Sequence, residues 1–239
     1  MMTTLKSMKR ISILFLLFAA FSTTLLAQSS TTRDLDYFDE IEFGGAGKIF
    51  LIPGKEAKIE ILSDKSKSEI IDNLVTEVNG KTLDIYLKDK KWHKDLKLVF
   101  TITYPALNRL NIYGAGSVYS ESPIISDNFT LESEGAEKAV LELDVKYLDV
   151  SVAGAGDIVL SGKAKNQRIV VAGAASVKAM DLKTANTTAE LNGVGSIKVY
   201  ASESLDAEVN GIGSIQYAGN PSTVHTSKGG IGSIKAVNR

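Results

Sequence analysis

A short glycine motif recurs seven times at nearly constant spacing after residue 113, and this repeat restricts the possible folds more than any other feature. Each copy reads Gly-x-Gly or a close variant, and most continue with Ser or Asp and then Val or Ile. The first glycines are 18 to 21 residues apart, at Gly114, Gly135, Gly154, Gly173, Gly193, Gly211 and Gly230. A period of this length is typical of a solenoid, in which each repeat is one coil stacked on its neighbours. An eighth copy begins at Gly45, and we interpret it as lying outside the array.

Between the glycines, apolar and polar residues alternate with a period of two. In one coil Val150, Val152 and Ile158 share one parity, whereas Asp149 and Ser151 have the other. This pattern indicates half-buried strands, and no helical spacing of apolar residues competes with it after residue 105. We therefore predict an all-β chain that forms a parallel β-helix, or β-solenoid, of about seven coils, with one coil per motif.

The glycines of the motif are predicted to be structural rather than catalytic. We place them at a sharp bend between two sheets, where a missing Cβ permits positive φ and a close approach of neighbouring coils. Some coils lack the second glycine, so we expect the first glycine to matter more. The predicted turn glycines are Gly114, Gly116, Gly154, Gly156, Gly173, Gly193, Gly195, Gly211, Gly213, Gly230 and Gly232.

Residues 28–105 lack the regular glycine spacing and are predicted to form a β-rich cap that is continuous with the solenoid of residues 106–239. Alternating apolar residues indicate several strands, and Asn79-Gly80 is typical of a hairpin turn. The segment 66–74 has the pattern of one short helix. A cap is expected because an open solenoid end would expose both the core and the strand edges.

The first 27 residues have the pattern of a signal peptide. Lys6, Lys9 and Arg10 precede the apolar stretch 11–21, and a cleavage site follows at Ala27. The apolar stretch is about half as long as a membrane span requires. We predict cleavage after Ala27 and export to the periplasm, the outer membrane or the medium, with no transmembrane span in the mature chain.

The composition excludes several classes of protein. The chain has no cysteine, so it can form no disulfide, thiolate metal site or lipidated N-terminal cysteine. The 27 basic and 28 acidic residues are nearly balanced and form no long run of one sign, which argues against nucleic-acid binding. Loss of three basic residues with the signal peptide leaves a net charge of 24 − 28 = −4.

The glycine repeat, the signal peptide and two upstream segments together resemble the bacterial head GIN domain family. The two segments are Phe-Asp-Glu-Ile at 38–41 and Ile-Thr-Tyr-Pro-Ala-Leu at 102–107, and the resemblance extends over about residues 36–237. The family is a domain of unknown function that is described as autotransporter adhesins. The resemblance implies a right-handed β-helix of the pectin-lyase type, whose Gly-x-Gly turns join two sheets. It also implies a role in adhesion without catalytic residues.

Each candidate chemical site in the sequence has a simpler interpretation. The glycine motif lacks the third glycine and the helix start of a dinucleotide fingerprint. Lyase or glycosidase chemistry on a β-helix needs clustered carboxylates and an arginine. Glu132, Glu190 and Glu208 lie three residues before the first glycine of a motif. The one candidate arginine, Arg168, lies five residues before a glycine and so in a different row, and we interpret the glutamates as solvated side chains. His225 has no partners of a catalytic triad, and the acidic residues of 34–40 lack the spacing of a calcium loop. We predict no catalytic residue, no cofactor and no metal site.

Alignment of the coils on their first glycines predicts rows of equivalent side chains for binding. Five residues after the glycine stands a mostly basic row, which consists of Lys178, Lys198, Gln216 and Lys235. Three residues after the glycine stands a row of serines, which consists of Ser176, Ser196, Ser214 and Ser233. Directly after the glycine stand Val194, Ile212 and Ile231, which face solvent if the alternation survives the bend and face the core if it slips.

These observations predict an exported, non-catalytic binding or adhesion module of the bacterial cell envelope. The last four coils would contact an anionic glycan or a partner protein through the basic and serine rows. Two alternatives remain open. One is a structural envelope component that assembles with itself, and the other is a polysaccharide-active β-helix enzyme.

Overall fold

The computed structural model of the protein describes residues 29–63, 68–88 and 98–238. This part of the chain is nearly all β-structure and forms a β-solenoid of about seven turns, as the repeat predicted. The predicted signal peptide, residues 1–27, lies outside the described residues. Within them, no helix has the length and hydrophobicity that a bilayer crossing requires.

The secondary structure divides into an N-terminal part and the array. The described N-terminal part contains β1 Ser29–Asp34, β2 Glu40–Gly44, β3 Ala46–Pro53, β4 Lys58–Ser63, the short helix α1 Ser68–Asn73, β5 Leu74–Asn79, β6 Thr82–Leu87 and β7 Leu98–Tyr104. The array contains β8 Arg109–Ile112, β9 Ala115–Ser120, β10 Ile124–Ser133, β11 Lys138–Val152, β12 Asp157–Val171, β13 Ala174–Leu191, β14 Val194–Tyr200, β15 Ser204–Val209, β16 Ile212–Ala218, β17 Thr223–Lys228 and β18 Ile231–Ala236.

Equivalent residues of successive coils lie side by side in parallel strands. One inward column runs through Leu131, Val150, Ile169, Ala189 and Ala207, with steps of 18 to 20 residues. All five side chains are fully buried. The prediction of one coil per glycine motif is therefore confirmed.

The glycine bends divide the surface of the solenoid into two faces. We call the strand segments that lead into a bend the pre-bend face; it contains β2, β8, β15, β17 and the ends of β10 to β13. The segments that leave a bend form the post-bend face, which contains β3, β9, β14, β16, β18 and the beginnings of β11 to β13. Strands β11, β12 and β13 are 15 to 18 residues long because each runs from one bend around the core to the next.

The glycine copy at Gly45 belongs to the stack of coils, which corrects its placement outside the array. β2 lies between β6 and β8, and β3 lies between β7 and β9, with all four pairings parallel. The Ala115 N–H donates a hydrogen bond of 2.8 Å to the Gly45 carbonyl oxygen, so Gly45 stacks directly against the Gly114 bend. The regular spacing could not reveal this coil, because the chain does not pass directly from β3 to the neighbouring strand β8. It first forms β6 and β7, which stack on the N-terminal side of β2 and β3, and only then returns to β8 on their other side.

The chain between β3 and β8 also supplies antiparallel strands at the N-terminal end. β4 pairs with β7, β1 with β4 and β5 with β6. Gly80, at a φ of +67°, forms the predicted hairpin turn between β5 and β6, and α1 lies within the segment predicted as a helix. The Arg33 guanidinium donates to the carbonyl oxygens of Ile71 and Leu74, both at 2.9 Å. These bonds hold β1 against α1 and β5.

The core side chains become smaller along the solenoid. Near the N-terminal end, Phe43 and Phe100 are fully buried and pack edge to face, with ring centroids 5.6 Å apart. In the later coils the Phe43 column continues as Leu191 and Val209, and the Phe100 column continues as Val177, Ile197 and Ile215. β17 is exposed throughout its length. Among the described strands, β17 and β18 each have one parallel neighbour, β15 and β16 respectively.

Candidate binding surface

The first glycine of each motif lies where neighbouring coils come closest. The Val194 N–H donates to the Gly173 carbonyl oxygen and the Ile212 N–H to the Gly193 carbonyl oxygen, both at 2.9 Å. A Cβ on Gly193 would overlap the carbonyl oxygen of Gly173. The close approach predicted for this bend is confirmed, and it explains why the first glycine stands in every copy.

The second glycine has a separate role in two of the last coils. Gly195 and Gly213 have φ values of +151° and +149°, a region that residues with a Cβ rarely adopt. At Gly156, by contrast, a Cβ would be 3.2 Å from the Ser133 Oγ and would meet no such φ restriction. The expectation that the first glycine matters more than the second therefore holds for the coil of Gly156. In the coils of Gly195 and Gly213 the second glycine is also required by the backbone.

Three β-branched residues form an exposed row along the bend, which we call the bend row. Val194, Ile212 and Ile231 lie side by side in consecutive coils. Their side chains are 54%, 53% and 76% exposed. The alternation of inward and outward residues thus survives the bend, and of the two alternatives left open by the sequence, the row faces solvent.

The predicted basic row is present on the post-bend face, and we call it the lysine row. Lys178, Lys198, Gln216 and Lys235 follow each other in direct register. The Lys178 Nζ donates to the Asp157 Oδ1 at 2.8 Å, so its charge is already paired. Lys198 and Lys235 form no ion pair with the described residues, and they supply the available positive charge of the row.

The predicted serines also form a row, between the bend row and the lysine row. Ser176, Ser196, Ser214 and Ser233 are aligned in consecutive coils. The Oγ atoms of Ser176 and Ser196 are 3.3 Å apart and share a hydrogen bond. The row offers hydroxyl donors and acceptors at the strand spacing of about 4.8 Å.

The pre-bend face has the opposite charge. Glu190 and Glu208 are aligned, as are Asn192 and Asn210 beside them. The Asn210 Nδ2 donates to the Asn192 Oδ1 at 3.1 Å. Glu190 is paired with Arg168, as Lys178 is with Asp157. In these rows, the charges without an ion pair to the described residues are therefore Glu208 on the pre-bend face and Lys198 and Lys235 on the post-bend face.

Two of the three glutamates considered as catalytic candidates are held by arginines. The Arg109 guanidinium donates to Glu132 at 2.6 Å, and the Arg168 guanidinium donates to Glu190 at 3.1 Å. The hydrogen bond with Glu132 raises the pKa of Arg109. The sequence reasoning missed the Arg109 pair, although Arg109 stands five residues before Gly114, as Arg168 stands before Gly173.

The structure shows where the acidic residues that were weighed as calcium ligands lie. Among the residues it describes, no three His, Asp or Glu side chains come together as possible metal ligands. Asp39, one of the acidic residues weighed for calcium, accepts a hydrogen bond of 3.2 Å from the Asn108 side chain instead.

A groove of about 390 Å³ crosses the pre-bend face, where the sequence reasoning placed no site. The Asn186 Nδ2 donates to the Asn166 Oδ1 at 3.0 Å, and the Ser204 Oγ donates to the Asn186 Oδ1 at 2.7 Å. Tyr147 and His225 also line the groove. The even spacing of polar residues at 166, 186 and 204 is the signal that could have found it. Its amide and hydroxyl groups can form hydrogen bonds with a ligand rich in hydroxyls.

Glu137 is an unusual buried carboxylic acid at the bend. It occupies the place of the second glycine in its motif, and its side chain is 4% exposed. Burial raises the pKa of Glu137 to about 7, against the opposing effect of the Gly135 and Glu137 backbone N–H groups. The sequence reasoning noted the missing glycine but not the buried acid.

The fold and the repeated glycine bend define a class of β-solenoid that is built from coils of about 19 residues. The chain belongs to the family described as "Putative auto-transporter adhesin, head GIN domain", whose model matches residues 37–221. The family expected from the sequence is therefore confirmed.

Several solved bacterial structures are similar to this chain. A crystal structure of a "putative adhesin" from Bacteroides fragilis has 29% sequence identity and a TM-score of 0.84, and the match covers 88% of this chain and 97% of that one. A "putative lipid binding protein" from Parabacteroides distasonis has 25% identity and a TM-score of 0.68, with coverage of 88% and 97%. A "putative adhesin" from Parabacteroides merdae shares the fold, with 19% identity, a TM-score of 0.69 and coverage of 88% and 96%. The comparison with curated proteins gave no match.

Proposed function

We propose that the protein is an exported, non-catalytic adhesion module of the bacterial envelope that binds an anionic glycan on its post-bend face. The observation that carries this proposal is the pair of Lys198 and Lys235, which stand in one row without ion pairs to the described residues, beside a row of serine hydroxyls. The family and its solved members support the adhesion role through their names.

The arrangement suits an extended anionic chain rather than a small molecule. The lysine and serine rows run along the solenoid axis and repeat one chemical pattern from coil to coil. An anionic polysaccharide that lies along this axis can meet an ammonium group and a hydroxyl in several consecutive coils. Such repeated weak contacts add up to useful affinity, as in other solenoids that bind along a face.

A non-catalytic role fits the ion pairs that two of the three candidate glutamates on the pre-bend face form. Hydrolysis or elimination on a sugar needs carboxylates that are free to exchange protons or to attack. Arg109 holds Glu132 and Arg168 holds Glu190 in ion pairs. We therefore expect no release of reducing ends when the protein is incubated with polysaccharides.

Binding to polygalacturonate at low ionic strength, with neutral dextran as the comparison ligand, tests the proposal. The double variant Lys198→Glu, Lys235→Glu should weaken polygalacturonate binding roughly tenfold or more, because it replaces two attractive charges with two repulsive ones. Its melting temperature should remain close to that of the wild type, since both side chains project from the surface.

A matched control carries the same change of net charge elsewhere. Lys55 and Lys165 are exposed and form no ion pair with the described residues, so Lys55→Glu, Lys165→Glu should leave polygalacturonate binding within about twofold of the wild type. If both double variants weakened binding equally, the change of net charge alone would explain the effect, and the lysine row would be rejected as the site. Binding to a protein of the envelope in place of the polysaccharide would also contradict the proposed ligand.

A further inference from the structure

The outward residues of the last three coils are arranged symmetrically about the bend row. The apolar bend row is in the centre, and a mostly polar row lies on each side of it. Beyond these lie a row that contains two glutamates on the pre-bend face and a row that contains two lysines on the post-bend face. From the pre-bend to the post-bend face, the three coils present Glu190, Asn192, Val194, Ser196 and Lys198, then Glu208, Asn210, Ile212, Ser214 and Gln216, then Ser227, Gly229, Ile231, Ser233 and Lys235. The charged rows stand four residues before and four residues after the bend row.

This symmetry makes the surface complementary to a second copy of itself. The bend is a convex corner, because the chain turns there around its core, so a two-fold axis parallel to the solenoid can bring two bend rows together. The same rotation places the pre-bend face of each copy beside the post-bend face of the other. Glu208 then faces Gln216 of the second copy, with Lys198 and Lys235 of that copy one coil away on either side.

The charges also decide between the two possible orientations. A two-fold axis perpendicular to the solenoid would make the two chains antiparallel and would bring the pre-bend faces together. Glu208 would then lie near acidic residues of the other copy, which is unfavourable. Glu190 is already paired with Arg168, so Glu208 carries the charge argument, and only the parallel arrangement sets Glu208 of each copy near Lys198 and Lys235 of the other on both sides of the contact.

An earlier coil supports the same arrangement independently. Glu134 stands directly before Gly135, and Lys138 stands three residues after it. Both side chains are exposed, and neither forms an ion pair with the described residues. The rotation that joins the bend rows also brings Glu134 of each copy opposite Lys138 of the other.

We propose that the protein forms a parallel two-fold dimer through the bend row, with Val194, Ile212 and Ile231 of each copy at its centre. Isologous contacts of this kind are the commonest form of protein self-association. The bend row has only three residues per copy, so the contact area is small compared with the roughly 800 Å² that each partner buries in a standard interface. The dimer is therefore reversible and depends on protein concentration.

Sedimentation velocity over a range of concentrations tests whether the bend row is the contact. The wild type should shift from monomer to dimer as its concentration rises. Ile212→Asp should weaken this association at least tenfold, because it buries an unpaired carboxylate at the centre of the contact. Ile125→Asp is the matched control, since Ile125 is 74% exposed and lies in β10 away from the bend. Ile212→Asp retains the lysine row and should still bind polygalacturonate, so the two proposals can fail separately.

Single cysteines test the orientation, since the chain has no cysteine of its own. In the parallel dimer, two molecules of the Ile231→Cys variant should become linked by a disulfide under mild oxidation. In an antiparallel dimer centred on Ile212, a mixture of Val194→Cys and Ile231→Cys would form mixed disulfides instead. A wild type that stays monomeric at all concentrations would overturn the proposal. So would association that survives Ile212→Asp, as in pairing through the edges of β17 and β18, or the antiparallel pattern of disulfides.

Discussion

At the scale of single residues, Glu137 shows how one coil departs from the motif and what this costs. Glu137 is in register with Gly116 and Gly156 of the neighbouring coils, because Ser117, Lys138 and Asp157 after them are paired. The Glu137 side chain uses space that glycines leave open: a Cβ on Gly156 would be 3.3 Å from the Glu137 Oε1, and a Cβ on Gly135 would be 2.9 Å from its Oε2. The carboxyl group thus lies among backbone atoms, away from water, where its ionised form is disfavoured.

The buried acid predicts a stability that depends on pH. The folded-state pKa of Glu137 is raised to about 7 from its ordinary value of 4.5, so the folded protein holds the proton more tightly than the unfolded chain. This contribution to stability is fully present below about pH 4.5 and is lost as the pH rises through about 7. We expect a loss on the order of 1–3 kcal/mol across this window in urea unfolding experiments.

The variant Glu137→Gln should remove that part of the pH dependence, because the amide has a similar shape and does not ionise. The exposed Glu121 provides the control, and Glu121→Gln should retain the slope of the wild type. An unchanged slope in Glu137→Gln would show that the carboxyl group is solvated in the folded state.

At the scale of elements, the bend between the pre-bend and post-bend faces imposes two different requirements on its two glycines. Gly193 is needed because the Gly173 carbonyl oxygen occupies the place of its missing side chain. Gly195 is needed because of its φ of +151° and because a Cβ would also overlap the Ala175 carbonyl oxygen. The obstacles are backbone atoms of a stacked coil, which cannot move without breaking the hydrogen bonds of the stack.

A pair of glycine substitutions tests this distinction between bends. Gly195→Val should lower the free energy of unfolding by on the order of 1–3 kcal/mol, through backbone strain and overlap with the neighbouring coil. Gly156→Ala should change it by less than about 1 kcal/mol, since its nearest neighbours are side-chain atoms of Ser133 and Glu137 at 3.2 and 3.3 Å. Thermal and urea melts provide the measurement, and equal losses in the two variants would contradict the structural reason.

At the scale of the whole molecule, stacking converts a repeated sequence into continuous chemical strips. Hydroxyl, ammonium and aliphatic groups that are 18 to 20 residues apart in the sequence become neighbours in the lysine row, the serine row and the bend row. The resulting strips run along the solenoid axis, which favours contact with an extended ligand or another solenoid. Both proposals for this protein rest on that property.

Export is the prediction that concerns the entire chain. The basic residues Lys6, Lys9 and Arg10 and the apolar stretch 11–21 predict removal of residues 1–27. N-terminal sequencing of the protein from envelope fractions should therefore begin at Gln28. Native protein found in the cytoplasm with Met1 or Met2 at its N-terminus would contradict the prediction.

The repeat was readable from the sequence because its information is local. The glycine spacing and the alternation with a period of two set the coil length and the inward column through Val150, Ile169 and Ala189, and the structure has the same register. The lysine and serine rows then followed from simple alignment of the coils. The hairpin at Gly80 was equally predictable, because Asn-Gly is favourable in such a turn whatever surrounds it.

The sequence by itself thus determined the solenoid, its register and the composition of its rows. Only the tertiary structure placed the coil of Gly45 beside that of Gly114, because a long excursion of the chain separates them in sequence. It also paired Lys178 with Asp157 and turned Val194, Ile212 and Ile231 toward solvent. These features depend on which residues of different coils meet and on how the backbone passes through the bend, and neither is encoded in the pattern of a single repeat.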